Sequence, residues 1–162
     1  QKRLHHINFK GAIFTNFSQD HLDYHKTMKS YLNSKLILFK EILKKNSSII
    51  SDKEIPQFPL LKKIAKRKSL KLLDIGKEIE KIKDFYSLSE NNFKIKNLAM
   101  AISAVKLCGL KEKLAYGVIK KIKDVNGRLE LIRTFSNNIR VFIDYAHTPD
   151  ALLKTLEILK IN

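Results

Sequence analysis

A chain of 162 residues that is 44% hydrophobic has enough apolar material for a packed core, which excludes a disordered tail. No stretch approaches the roughly 20 apolar residues of a membrane span, and nothing resembles a cleavable leader. The formal net charge of +16 favours anionic ligands and raises the question of a nucleic-acid-binding module. The lysines, however, are spread along the whole chain, and arginine stands only at Arg3, Arg67, Arg128, Arg133 and Arg140. Base and phosphate recognition favours arginine forks, so a solvated basic surface is the better reading and nucleic acid is not the expected partner. The lone Cys108 lies in an apolar helical run, which leaves neither a disulfide framework nor a cysteine metal site and fits a reducing cytoplasm. The chain opens on Gln1 and stops at Asn162 just after a helical pattern, so a piece of a longer protein is expected.

In chain order, residues 10–15 read as a short buried strand. Apolar side chains at Met28, Tyr31, Leu32, Leu36, Phe39, Ile42 and Leu43 recur at helical spacing, which predicts a helix from about Met28 to Leu43 with Thr27 as its cap. Lys35 falls on that helix four residues after Tyr31, so a rigid element places it. Residues 46–90 are the least legible. Ser48-Ile49-Ile50-Ser51 predicts a strand, and Pro56 and Pro59 a loop. Leu60–Lys68 reads as a short basic helix, with strands following at 70–75 and 84–88. Asn97–Gly109 predicts an amphipathic helix stopped by its glycine, and 111–122 a second helix. Asn126-Gly127 marks a turn. Strands at 129–133 and 140–144 flank an Asn137-Asn138 turn, and Thr148-Pro149-Asp150 opens a helix with proline at its first position.

The segment after the first strand carries the chemistry. Thr15-Asn16-Phe17-Ser18-Gln19-Asp20-His21-Leu22-Asp23-Tyr24-His25 concentrates two histidines and two acids, types that hold hard divalent cations and phosphates. In an open α/β sheet, ligands gather at the C-terminal ends of strands. Plainer roles exist for each residue: Asp20 could cap the next turn, Asp23 and His25 could brace the loop by hydrogen bonds, and His5 and His6 read as exposed loop residues.

This strand, loop and lysine-bearing helix resembles the Mur ligases, the ATP-dependent amino-acid-adding enzymes of peptidoglycan synthesis, in the MurE-type form that adds the third stem-peptide residue. Asp144-Tyr145-Ala146-His147-Thr148-Pro149-Asp150-Ala151-Leu152 is similar to that branch's motif at the entry to the C-terminal domain. Between the two, Gly127-Arg128-Leu129-Glu130 is similar to its Gly-Arg-x-Glu junction signature. The likeness is strong over 1–43 and 91–157 and weak in between.

The resemblance implies an α/β fold: residues 1–126 would be the later part of a central ATPase domain, a mostly parallel sheet with flanking helices. Residues 127–162 would be the first strands and helix of a Rossmann-like C-terminal domain. It implies Mg²⁺ as cofactor, with His21 as one ligand and Lys35 as another after carbamylation turns its cation into an oxygen donor. It implies ATP as co-substrate, with Asn97 near the adenine, Arg128 near the phosphates and Asp144 at the ribose. It implies UDP-MurNAc-dipeptide at Gln1 and Arg3, and a diamino acid, meso-diaminopimelate or lysine, as the incoming amine.

Asn97 could instead merely cap its helix, and His147 could orient the junction loop. The sequence departs from the family at Ser51-Asp52-Lys53-Glu54, where an Asn-x-Asp-Asp-type stretch is common. It departs again at Asn91-Asn92, which replace a glycine, and at Lys94, where asparagine is usual. The 46–90 region reads as shorter than the family's. The family's Gly-Lys-Thr/Ser phosphate loop and its Asp-Asn-Pro-Arg motif are not in these residues, so the chain alone is expected to be inactive and to work with the rest of a parent ligase. The alternatives are another Mur or folylpolyglutamate-type ligase, a basic nucleic-acid-binding module, or a non-catalytic remnant.

Overall fold

The computed structural model describes residues 7–85 and 92–161. Packing divides the chain into two units, one formed by residues 1–17 with 21–117 and the other by 18–20 with 118–162.

The first unit is built on a three-stranded parallel sheet in the order β1 (Gly11–Phe14), β2 (Ser48–Ser51), β3 (Lys71–Asp74). Gly11 pairs with Ser48, which pairs in turn with Lys71, so the strands start level. All four residues of β2 are buried, as expected of a central parallel strand covered on both faces. Alternation sends Ile49 and Ile50 to opposite sides.

Ile49 joins a core of Phe14, Leu36, Phe39, Leu43, Leu61, Ile64, Ala65 and Leu70. The helices on that side are α2 (Met28–Ile37), which runs into a π-helical turn at Leu38–Ile42, and α3 (Phe58–Lys68). Phe14 and Phe39 meet there at 5.8 Å between ring centres. The helix α5 (Asn92–Leu107) packs on β1 and β2 and is itself packed by α4 (Gly76–Phe85).

Local chemistry explains the element ends. Thr27 adopts an extended backbone and its hydroxyl accepts from the Ser30 amide at 3.1 Å, the expected N-cap of α2. Pro59 lies in the first turn of α3 rather than in a loop, a position where its missing N–H costs nothing. The expected strand at 84–88 is corrected: Asp84 and Phe85 belong to α4, and 86–88 lie outside the described residues. Ile75, Ile79 and Ile82 have helical spacing, and the wholly buried Ile75 and Ile82 explain why a helix forms. The next helix also starts earlier than expected, at Asn92, because Ile95 extends the buried stripe of Ala99, Met100 and Ile102.

Charged groups tie α4 and α5 to the short α6 (Glu112–Gly117). Lys106 pairs with Glu78 at 2.7 Å and with Glu112 at 2.9 Å, and Glu112 also meets Lys81 at 2.5 Å. The hydrogen bond to Glu78 is the largest cause holding the Lys106 ammonium above its ordinary pKa. Burial, and then its hydrogen bond to Glu78, pushes the Tyr116 phenol up.

In the second unit, a 3₁₀ turn at Ile119–Lys121 precedes the antiparallel pair β4 (Glu130–Thr134) and β5 (Arg140–Ile143), with a bulge between Leu131 and Arg133. Asn138 takes a left-handed backbone in the connecting turn. The helix α7 (Pro149–Ile161) follows, its Ala151 amide donating to the Thr148 hydroxyl at 3.3 Å. The expected α/β class, a parallel sheet with flanking helices, is what the structure has. No described helix is long and apolar enough to cross a membrane.

Candidate active-site residues

β1 delivers the chain into the acid- and histidine-rich segment at the C-terminal end of the sheet. His21 takes a left-handed backbone (φ 52°) and stands before a single helical turn, α1 (Leu22–His25). Histidine is among the non-glycine residues that tolerate this region best. Its carbonyl accepts from the His25 amide at 2.9 Å, and Lys26, also at positive φ, closes the turn. The backbone of His21 is therefore held from both sides while its side chain stays exposed.

The next helix carries the second expected ligand, Lys35. Tyr31 is buried on α2, and Lys35, half-buried, stands one turn later. The Lys35 Nζ lies 4.9 Å from the centre of the Tyr31 ring. The His21 ring meets the same tyrosine edge-on at 5.9 Å, and His25 stacks on it at 5.0 Å. Phe17 closes the cluster at 5.2 Å. The two residues expected to share a metal thus converge on one aromatic ring. Sequence reasoning missed that ring; its only signal was the four-residue spacing from Tyr31 to Lys35.

Among the described residues, no group of three or more His, Cys, Asp or Glu side chains could hold a metal. His21 with a Lys35 ammonium would repel a divalent cation. A carbamate on Lys35 would reverse that, adding the hard oxygens that Mg²⁺ prefers. The donor chemistry therefore fits Mg²⁺ only with Lys35 modified.

In the second unit, Gly127 takes a left-handed backbone (φ 69°) at the expected turn, and its amide donates to Glu130 at 2.6 Å. Asp144, just after β5, accepts from the Leu129 amide and the Ala146 amide, both at 2.8 Å, and from the Thr155 hydroxyl at 3.3 Å. Arg128 lies over the Tyr145 ring at 4.5 Å. One carboxylate thus joins β5, the turn at Gly127 and α7, with Arg128 close by. His147 hydrogen-bonds the Tyr145 carbonyl at 3.0 Å, consistent with a loop-orienting role.

Asn97 is exposed on α5, inside the helix rather than at its start, so it does not cap it. Gln1 and Arg3 lie outside the described residues, as do His5 and His6.

Where the sequence departs from the family's Asn-x-Asp-Asp pattern, the structure has an ion-pair cluster. Asp52, 2% exposed at the end of β2, lies 2.6 Å from the Lys96 Nζ, and Glu54 pairs with the same ammonium at 2.8 Å. Burial lowers the Lys96 pKa, but the hydrogen bonds to Asp52 and then Glu54 outweigh it, and the net shift is upward. Nothing in the spacing of residues 52 and 96 announced this contact.

Residues 1–116 match the Mur ligase middle domain. The chain belongs to the Mur ligase family. A UDP-N-acetylmuramoyl-L-alanyl-D-glutamate–2,6-diaminopimelate ligase from Rickettsia montanensis is 34% identical over 181 residues, which take in 99% of this chain and 37% of that protein. The ligase of the same name from Clostridium botulinum (strain ATCC 19397 / Type A) is 34% identical over 169 residues, 93% of this chain and 35% of that one. A solved structure of UDP-N-acetylmuramoyl-L-alanyl-D-glutamate–2,6-diaminopimelate ligase superposes with a TM-score of 0.61 at 25% identity, over 93% of this chain and 35% of the other. The chain therefore spans little more than a third of the length of the curated Mur ligase relatives it matches. The alignment to the Rickettsia montanensis ligase runs over 181 positions against 162 residues here, so that relative has segments without a counterpart in this chain.

Proposed function

We propose that this chain is part of a MurE-type ligase, which joins a diamino acid to UDP-MurNAc-L-Ala-D-Glu at the expense of ATP in cytoplasmic peptidoglycan synthesis. Residues 1–126 contribute the later central domain and 127–162 the opening of the C-terminal domain, the rest of the ligase lying in its parent chain. The observation that carries the reading is the convergence of His21 and Lys35 on Tyr31, within a segment that matches the Mur ligase middle domain. The names of the relatives favour 2,6-diaminopimelate over lysine as the incoming amine.

Each residue has a role in this reading. His21 and carbamylated Lys35 hold Mg²⁺, which when bound neutralises phosphate charge. Arg128 adds a cation on the phosphate side, Asp144 accepts from the ribose hydroxyls, and Asn97 faces the adenine. Gln1 and Arg3 contact the UDP-MurNAc-dipeptide, where an arginine suits an anionic group. The γ-phosphoryl group of ATP passes to the terminal carboxylate of the dipeptide. The amine of the diamino acid then attacks the acyl carbon, and phosphate leaves as the amide forms. Asp144 is held in this structure by two backbone amides, which fixes its carboxylate before any ribose arrives.

The test is dipeptide-dependent ADP release by the complete product of the reading frame, with diaminopimelate and lysine supplied separately. Release with diaminopimelate, reduced at least about a hundredfold by Lys35→Ala and by Asp144→Ala, is expected. No dipeptide-dependent release with either amino acid would overturn the ligase reading.

A further inference from the structure

We propose that Tyr31 is a positioning residue for Lys35: its ring seats the lysine ammonium before modification and releases it once the side chain is carbamylated. This rests on the reading of Lys35 as the carbamylated residue.

The argument is one of charge. The face of a phenol ring carries the negative part of its quadrupole, so it attracts a cation and repels an anion. Lys35 Nζ lies 4.9 Å from the Tyr31 ring centre, within cation–π range. Tyr31 is buried on α2, and Lys35 follows one turn later on the same face. Phe17 and His25 also pack against the ring, at 5.2 Å and 5.0 Å.

Carbamylation inverts the charge it meets. The amine nitrogen attacks the carbon of dissolved carbon dioxide and a nitrogen–carbon bond forms. One carbon–oxygen π pair moves onto oxygen, and two protons leave to solvent, counted from the ammonium. The side chain passes from +1 to −1 without any oxidant or reductant. A group that the ring attracted is now one that it repels. His21 meets the same ring edge-on at 5.9 Å. Tyr31 therefore competes with carbon dioxide for Lys35, and the competition ends in favour of the carbamate only when its negative charge is matched elsewhere.

The measurement is the carbon-13 carbamate resonance of the complete protein in labelled bicarbonate without added Mg²⁺, below saturation. The Lys35 signal is identified by its loss in Lys35→Arg. Tyr31→Leu, which keeps apolar bulk and removes the π face, is expected to raise the Lys35 carbamate fraction roughly three- to tenfold, while Tyr31→Phe leaves it at the starting level. A Tyr31→Leu signal equal to or below the unsubstituted one overturns the role of Tyr31 and leaves Lys35 carbamylation standing. No Lys35 carbamate in any of these proteins overturns the reading of Lys35 and this inference with it.

Should Tyr31→Leu fail to fold, the unsubstituted protein still decides. After reductive methylation with labelled formaldehyde, which keeps the charge, the Lys35 methyl resonance is expected upfield of the other lysines because of the ring current. A Lys35 methyl resonance at the common lysine position overturns the seat.

Discussion

At the scale of single residues, the Asp52–Lys96 pair is the contact whose loss has the clearest energetic meaning. Asp52 is 2% exposed, and removing its cation would strand a carboxylate away from water. Lys96→Met is expected to cost about 3 kcal/mol, the low end for breaking a buried pair because Lys96 is itself partly exposed. Urea unfolding should show this as a lower midpoint, and adding Asp52→Asn should recover part of it; an unchanged midpoint would contradict the assignment. The pH dependence has a definite sign. Because the folded Lys96 pKa is raised, its stabilisation is complete below the ordinary value of 10.5 and fades as pH climbs from there through the raised value. This pair was invisible in the sequence, since two residues 44 positions apart meet only once the sheet and α5 are assembled. His21 and Lys35 were legible because loop and helix are neighbours in the chain. Tyr31 went unrecognised because an aromatic at helical spacing looks like ordinary core.

At the scale of elements, Gly11 lets α5 and β2 come close to the start of β1. A Cβ added at Gly11 would fall 2.6 Å from the Leu107 side chain and 2.7 Å from the Ser48 carbonyl oxygen. Leu107 could shift, but the carbonyl belongs to β2 and cannot move without disturbing the ladder. Gly11→Ala is therefore expected to destabilise the fold by about 1–3 kcal/mol, read as a lower thermal midpoint, whereas Gly117→Ala, with open space around it, is expected to leave the midpoint near its starting value. The elements set by local chemistry were readable beforehand: the Thr27 cap, the Asn126-Gly127 turn and the Pro149 helix start. The helix α4 was not. It opens on a glycine and is crowded with lysine and glutamate, so the stripe of Ile79 and Ile82, continued by Ile75 just before it, stands out only when α5 is there to cover it.

At the scale of the whole chain, the two units differ in how much they bury. Among the described residues, the buried hydrophobic side chains lie in the first unit, apart from Ile119. In the second, Leu131, Ile132, Ile139 and Ile143 on the hairpin and Leu152, Leu153 and Leu156 on α7 are all more than half exposed. Hydrogen exchange should follow that division. Amides of β2 are expected to be protected at the level of global unfolding, and those of β4 and β5 to exchange orders of magnitude faster; equal protection of both would refute a difference in local stability. The hairpin joins residues a few positions apart, through the Phe135 amide and the Ile139 carbonyl. The buried Ser51 hydroxyl reaches the Phe14 carbonyl across 37 positions. A hairpin closes in about 1–10 μs, whereas parallel pairing must first close a long loop and form its crossover helix. The first strand pairing to appear as this chain folds is thus the one with least to hold it, and the last to form are those on which the fold depends.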